Sequence, residues 1–118
     1  MADTTIWHNP ACSTSRHAMD TASDLGVDVD ERRYLSDSPD RTELLALMEI
    51  LVDPPADLVR KDQRFASMGL DPDDYRTPEQ VADLLVSEPR LIQRPVLIRG
   101  DTAIIGRPKD RAQAFLAG

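Results

Sequence analysis

Cysteine is almost missing from this chain: its 118 residues contain one, Cys12. A lone thiol excludes an internal disulfide, so an oxidising compartment offers nothing and a cytoplasmic location is expected. Position 15 is serine, which excludes a dithiol C-x-x-C centre, and position 18 is alanine, which removes the C-x5-R loop of phosphatases. One cysteine with two histidines cannot build a structural zinc site, so neither a metal nor a bound cofactor is expected. No glycine-rich phosphate loop is present. No run approaches the ~18 apolar residues of a membrane span. The opening MADTTIW lacks the basic and apolar regions of a secretory signal. Positive charge is also in deficit, with 21 acidic against 14 basic side chains and a net charge of −7. A field of that sign disfavours nucleic acid and anionic lipid as partners, and an anionic substrate would need arginines to reverse the potential locally.

What is there reads as one globular domain, residues 1–118, with 41% hydrophobic and 30% charged residues. Thr4 to His8 forms a short β-type run that Asn9-Pro10 breaks. Ala18, Met19, Ala22 and Leu25 share one helical face over Ser13 to Leu25, and Gly26 stands where a left-handed cap would end it. Val27 to Tyr34 reads as a second strand, parallel to the first by a right-handed crossover. A helical block follows over about residues 38–90. Ser38-Pro39 is read as its first cap, Leu44 to Val52 as a broad apolar stripe, and Thr77-Pro78-Glu79-Gln80 as a capping box. Leu58, Val59, Phe65 and Met68 supply apolar residues between them. Val96 to Ile98 and Ala103 to Ile105 flank a hairpin turn, and a last helix runs through Ala112, Phe115 and Leu116. The expected fold is α/β: a thioredoxin-like order, β-α-β then β-β-α, with an inserted helical block.

Cys12 falls between a strand end and a helix start, where free N–H groups and the helix dipole favour thiolate over thiol. His8 and Arg16 flank it and would add positive charge. The competing reading is a buried structural cysteine packing as a small hydrophobe. The polar run Ser13-Thr14-Ser15 argues against that. A reactive thiol alone needs an external thiol to complete a redox cycle.

Four stretches carry a family resemblance. They are Trp7-His8-Asn9-Pro10-Ala11-Cys12-Ser13-Thr14-Ser15-Arg16, then Val59-Arg60-Lys61, then Gln93-Arg94-Pro95-Val96, then Gly106-Arg107-Pro108. In this order and spacing they resemble the glutaredoxin-linked arsenate reductase (ArsC-like) family, from about residue 4 onward. Ser13 stands where well-characterised resistance reductases have glycine. The resemblance implies that the Cys12 thiolate attacks arsenate gripped by Arg60, Arg94 and Arg107. It implies glutathione or another low-molecular-weight thiol as co-substrate and a glutaredoxin-type partner that resolves the adduct to arsenite. Pro95 would be the cis-proline beside the thiol, with His8, Asn9, Ser15 and Arg16 in support. Guanidinium forks suit tetrahedral oxyanions because their paired donors stay charged. A monomer is expected. Two other readings share the fold: an Spx-type regulator docking on RNA polymerase, and a thiol-redox protein without arsenate activity.

Overall fold

The structure, a computed structural model, describes residues 3–118. Met1 and Ala2, the start of the segment read above for a signal, lie outside them. In chain order the elements are β1 (Thr4–Trp7), α1 (Ser13–Asp24), β2 (Val29–Arg32), α2 (Arg41–Ile50), α3 (Gln63–Ser67), α4 (Pro78–Ser87), β3 (Val96–Arg99), β4 (Thr102–Ile105) and α5 (Asp110–Ala117). Short 3-10 turns at Pro55–Leu58, Pro72–Asp74 and Pro89–Leu91 join the helices of the inserted block.

The four strands form one sheet in the order β2-β1-β3-β4. β1 and β2 run parallel, with Trp7 opposite Arg32, while β1–β3 and β3–β4 are antiparallel. The thioredoxin-like order is therefore present, with the helical block inserted between β2 and β3. Strand alternation sorts the core onto two faces. Ile6, Leu97 and Ile104 point to α1 and α5, where Ala18, Ala22, Ala112 and Leu116 complete one cluster. Trp7, Val96, Ala103 and Ile105 point the other way, against Leu44, Leu47, Val81, Leu85 and Ile92 of the inserted block. Trp7 is the packing aromatic expected at that position, with the Arg32 guanidinium 5.4 Å from its ring centroid.

Several boundaries differ from the sequence reading for local reasons. The second strand ends at Arg32 rather than Tyr34, because Ser36 and Asp37 N–H groups turn back onto the Arg33 carbonyl. The cap of α2 is Asp40, not Ser38: Asp40 accepts from Glu43 N–H while Glu43 reaches back to Asp40 N–H. That reciprocal pair satisfies two orphan donors at once, which a serine followed by proline cannot match here. Val52 is 66% exposed and leaves the expected stripe, because α2 ends at Ile50 and Val52 N–H instead donates to Ala103 O on the edge of β4. Met68, at the end of α3, is also exposed. The Thr77–Gln80 capping box forms as read.

Candidate active site

The parallel β1–β2 pair directs both strand ends to the same edge of the sheet, and the loops leaving them converge there. After β1 the chain makes a tight turn held by Asn9: its carbonyl accepts Cys12 N–H at 3.0 Å and its Oδ1 accepts Ala11 N–H at 3.0 Å. Cys12 is thereby fixed as the N-cap of α1, with extended backbone. Its side chain is 7% exposed, yet it belongs to neither apolar cluster. The groups covering it are polar, so burial here does not mean a structural hydrophobe.

One of the three expected arginines hydrogen-bonds the sulfur and a second lies near it. Arg107 Nη2 lies 3.4 Å from Cys12 Sγ, and its Nε donates to Arg94 O at 2.7 Å. One guanidinium thus ties the thiol to the backbone of the segment carrying Arg94. Arg94 also faces the sulfur. Burial, the largest single influence on Cys12, pushes its pKa up. Hydrogen bonding from Arg94, the backbone N–H groups of Ser15 and Thr14, and the charge of Arg94 together outweigh that and hold the thiol below the ordinary cysteine range. The N–H groups do not reach full capping geometry on the sulfur. They act as oriented dipoles at the positive end of the helix.

Arg60 is placed differently. Arg60 N–H donates to Leu91 O and Gln93 N–H to Leu58 O, a clip that lays residues 58–60 beside the chain leading to Arg94. Its guanidinium, however, turns to Asp62, with Nε 2.9 Å from Oδ2. Among the described residues no hydrogen bond joins Arg60 to Cys12, Arg94 or Arg107.

The supporting residues form a buried polar network beneath the thiol. Ser15, with no exposure, accepts Asn9 N–H at 3.0 Å and lies 2.6 Å from His8 Nδ1. Because the Glu31 carboxylate, 3.6 Å from Nε2, can only accept, the histidine proton is assigned to Nε2, which leaves Nδ1 to accept the Ser15 hydroxyl proton. Burial lowers the His8 pKa; Glu31 opposes this, and the charges of Arg33 and Arg16 add to it. His8 is therefore neutral near pH 7 and does not supply the positive charge expected of it. Arg16 keeps its charge at the exposed rim, close enough to act on His8, and donates from Nη1 to Pro10 O at 2.8 Å, bracing the loop. Thr14 and Ser15 are themselves buried. They keep polar company with the thiol by sharing its helix start.

Both prolines that follow the site arginines, Pro95 and Pro108, have cis peptide bonds; the sequence reading anticipated the first. Gly106 packs directly on the Pro95 ring, where a Cβ would stand 2.8 Å from Pro95 Cγ. Its N–H donates to Pro95 O at 2.8 Å. Arg107 also lines a polar depression of about 380 Å³, together with Asp53, Asp57, Lys61, Gln93 and Arg111.

Tyr34 was not foreseen in this site. Trp7 pairs with Arg32 where the parallel β1–β2 register ends, and Asn9 and Tyr34 each follow two residues beyond that pair. The tyrosine is fully buried, its ring is part of the cluster under the inserted block, and its hydroxyl faces Asn9 and Arg94 near Cys12. Among the described residues neither the Tyr34 hydroxyl nor Arg94 Nε makes a hydrogen bond of normal geometry. Leaving such a donor unpaired costs about 1–3 kcal/mol. The parallel pairing was the signal that could have located it.

A helix start that favours the thiolate, the Arg94 and Arg107 guanidiniums and the Tyr34 hydroxyl thus lie together around Cys12, on a thioredoxin-like frame. The ArsC family model matches residues 7–115. An arsenate reductase of Acidiphilium multivorum is 32% identical over 111 residues, covering 93% of this chain and 78% of that protein. An arsenate reductase of Neisseria meningitidis is 29% identical over 118 residues, covering 98% of this chain and all of that one. The solved structure of an arsenate reductase from Vibrio cholerae superposes with a TM-score of 0.82 at 26% identity, covering 94% of this chain and 95% of that one. The chain belongs to the ArsC family.

Proposed function

We propose that this protein reduces arsenate, with Cys12 as nucleophile and Arg94 and Arg107 as the oxyanion grip. The observation that carries this reading is the contact of Arg107 Nη2 with Cys12 Sγ, with Arg94 against the same sulfur. Guanidiniums placed there favour the thiolate and then the charge that develops on arsenic-bound oxygens. In the first step the Cys12 thiolate forms an S–As bond and a protonated hydroxyl leaves arsenic(V) as water. A low-molecular-weight thiol of the glutathione kind then replaces a second hydroxyl, again with loss of water. A thiolate of a glutaredoxin-type partner attacks the sulfur of that small thiol. The mixed disulfide forms, the S–As electron pair passes to arsenic, and arsenic(V) becomes arsenic(III). Water finally releases arsenite and restores Cys12. No second cysteine is needed in this chain.

Arg60 joins the grip in this reading by exchanging Asp62 for the substrate. The polar depression that Arg107 lines carries charges of both signs, which suits a zwitterionic thiol approaching the adduct. The reaction fits the cytoplasm, where such thiols are kept reduced. Purified protein given arsenate, glutathione and a glutaredoxin is expected to release arsenite, and Cys12→Ser to release none. Equal rates for the two proteins would overturn the reading, and recovery of RNA polymerase α-subunit on the immobilised protein would redirect it to a regulator.

A further inference from the structure

The Tyr34 hydroxyl stands apart from the rest of the core. Its ring is fully enclosed by apolar neighbours, where phenylalanine would pack equally well and bury no polar atom. Among the described residues the hydroxyl nonetheless makes no hydrogen bond of normal geometry, although the Asn9 and Arg94 side chains stand close to it. Tyr34 lies two residues past the end of the parallel β1–β2 pair, where its hydroxyl faces the Asn9 and Arg94 side chains in the neighbourhood of Cys12. Arg94 Nε, beside it, is the second buried donor without an acceptor. Two unpaired donors converging beside a third, the Arg107 Nη2 on the sulfur, lack one thing in common: an acceptor with several oxygens.

We propose that Tyr34 is a ligand of the oxyanion itself, donating its phenolic O–H to the tetrahedral anion that Arg94 and Arg107 hold against Cys12. The inference rests on the oxyanion-binding reading of the site and adds a neutral donor to its charged ones. Burial chiefly, with the nearby Cys12 charge, raises the phenol pKa against the opposing influence of Arg94 and Asn9. The hydroxyl consequently keeps its proton at neutral pH and acts as a donor. Being neutral, it gives a hydrogen bond without drawing further on the long-range field. A hydrogen bond is directional, so it adds a geometric demand that guanidinium charge alone does not make.

Tyr34→Phe isolates the hydroxyl. The probes are arsenate and sulfate ions, read by the protection each gives Cys12 against iodoacetamide, with the melting temperature measured alongside. Wild-type protein is expected to be protected by both ions. The variant is expected to need roughly 5- to 30-fold more of each ion for half protection, the loss of one net hydrogen bond. Its melting temperature without anion is expected to be no lower than wild type, because an unpaired buried hydroxyl has been removed. Weaker binding in an equally stable protein is a pattern that a structural tyrosine would not produce. A variant that melts lower yet binds anion as tightly as wild type would overturn the proposal and leave the oxyanion site standing. Absence of protection in the wild type would overturn both.

Discussion

Substitution Gly106→Ala tests whether the reactive corner depends on close packing behind it. Gly106 has a backbone conformation open to any residue, so alanine would suffer no backbone penalty there. The cost is steric: the new methyl would sit 2.8 Å from Pro95 Cγ and 3.4 Å from Leu97 Cδ1. Carbon atoms settle at about 3.5–4.0 Å, so the first contact is short by about 0.7 Å or more. The Pro95 ring cannot rotate away, because it is closed on its own backbone. Overpacking of this kind costs about 1–3 kcal/mol. For a chain of this size, at about 4 °C per kcal/mol, the melting temperature should fall by roughly 4–12 °C. The same displacement reaches chemistry, since Pro95 and Gly106 immediately neighbour Arg94 and Arg107 in sequence. A shift near 1 Å at reacting groups costs on the order of 100-fold in rate. Circular dichroism melts and the arsenite-release assay, run on the folded variant well below its midpoint, measure the two effects separately. A variant melting within a degree of wild type and turning over at its rate would refute the argument that this packing sets the arginine positions.

Further expectations follow from other contacts. Asp53 accepts Ile105 N–H at 2.9 Å and Arg111 Nη1 at 2.8 Å from a side chain 14% exposed, so Asp53→Ala should lower stability by roughly 2–4 kcal/mol in urea unfolding. Arg60 is held by Asp62, so Arg60→Ala should raise the KM for arsenate less than Arg107→Ala does, and an equal effect would show that Arg60 already grips substrate. Burial lowers the His8 pKa in the fold, so between that value and the ordinary histidine range the unfolded chain binds more protons. Stability from this group is thus present above the ordinary range and lost as pH falls through the folded value. His8→Gln should remove that component of the pH profile, and identical slopes for both proteins would contradict it.

How far the sequence could be read depended on the range of the interaction concerned. The hairpin between β3 and β4 was legible because the turn is local: Gly100 adopts φ +60°, a conformation glycine takes without cost. The Thr77–Gln80 capping box was legible for the same reason, and the true cap of α2 was available in Asp40 and Glu43 but lost to a more familiar serine-proline signal. Cys12 at a helix start could be placed from its flanks. What its neighbours do could not: His8 stands close in sequence and was expected to charge the site, whereas burial keeps it neutral, and Arg16 stays charged while its guanidinium braces the Pro10 carbonyl. The converging arginines came from residues 82 and 95 positions beyond the thiol, and only the family resemblance pointed to them. Arg60 shows the limit of that route, because a local carboxylate two residues away takes its guanidinium. Tyr34 needed only the β1–β2 register, a topological inference already implied by the β-α-β reading.

The most direct measurement is the titration of Cys12, followed as the rate of its alkylation against pH, with and without added arsenate or sulfate. Helix dipole and guanidiniums together predict a midpoint below the ordinary cysteine range in the free protein. A bound anion then occupies those same guanidiniums and brings its own negative charge, so the midpoint must rise and the reaction slow. A sulfur that titrates like a free thiol and ignores both ions would contradict the account.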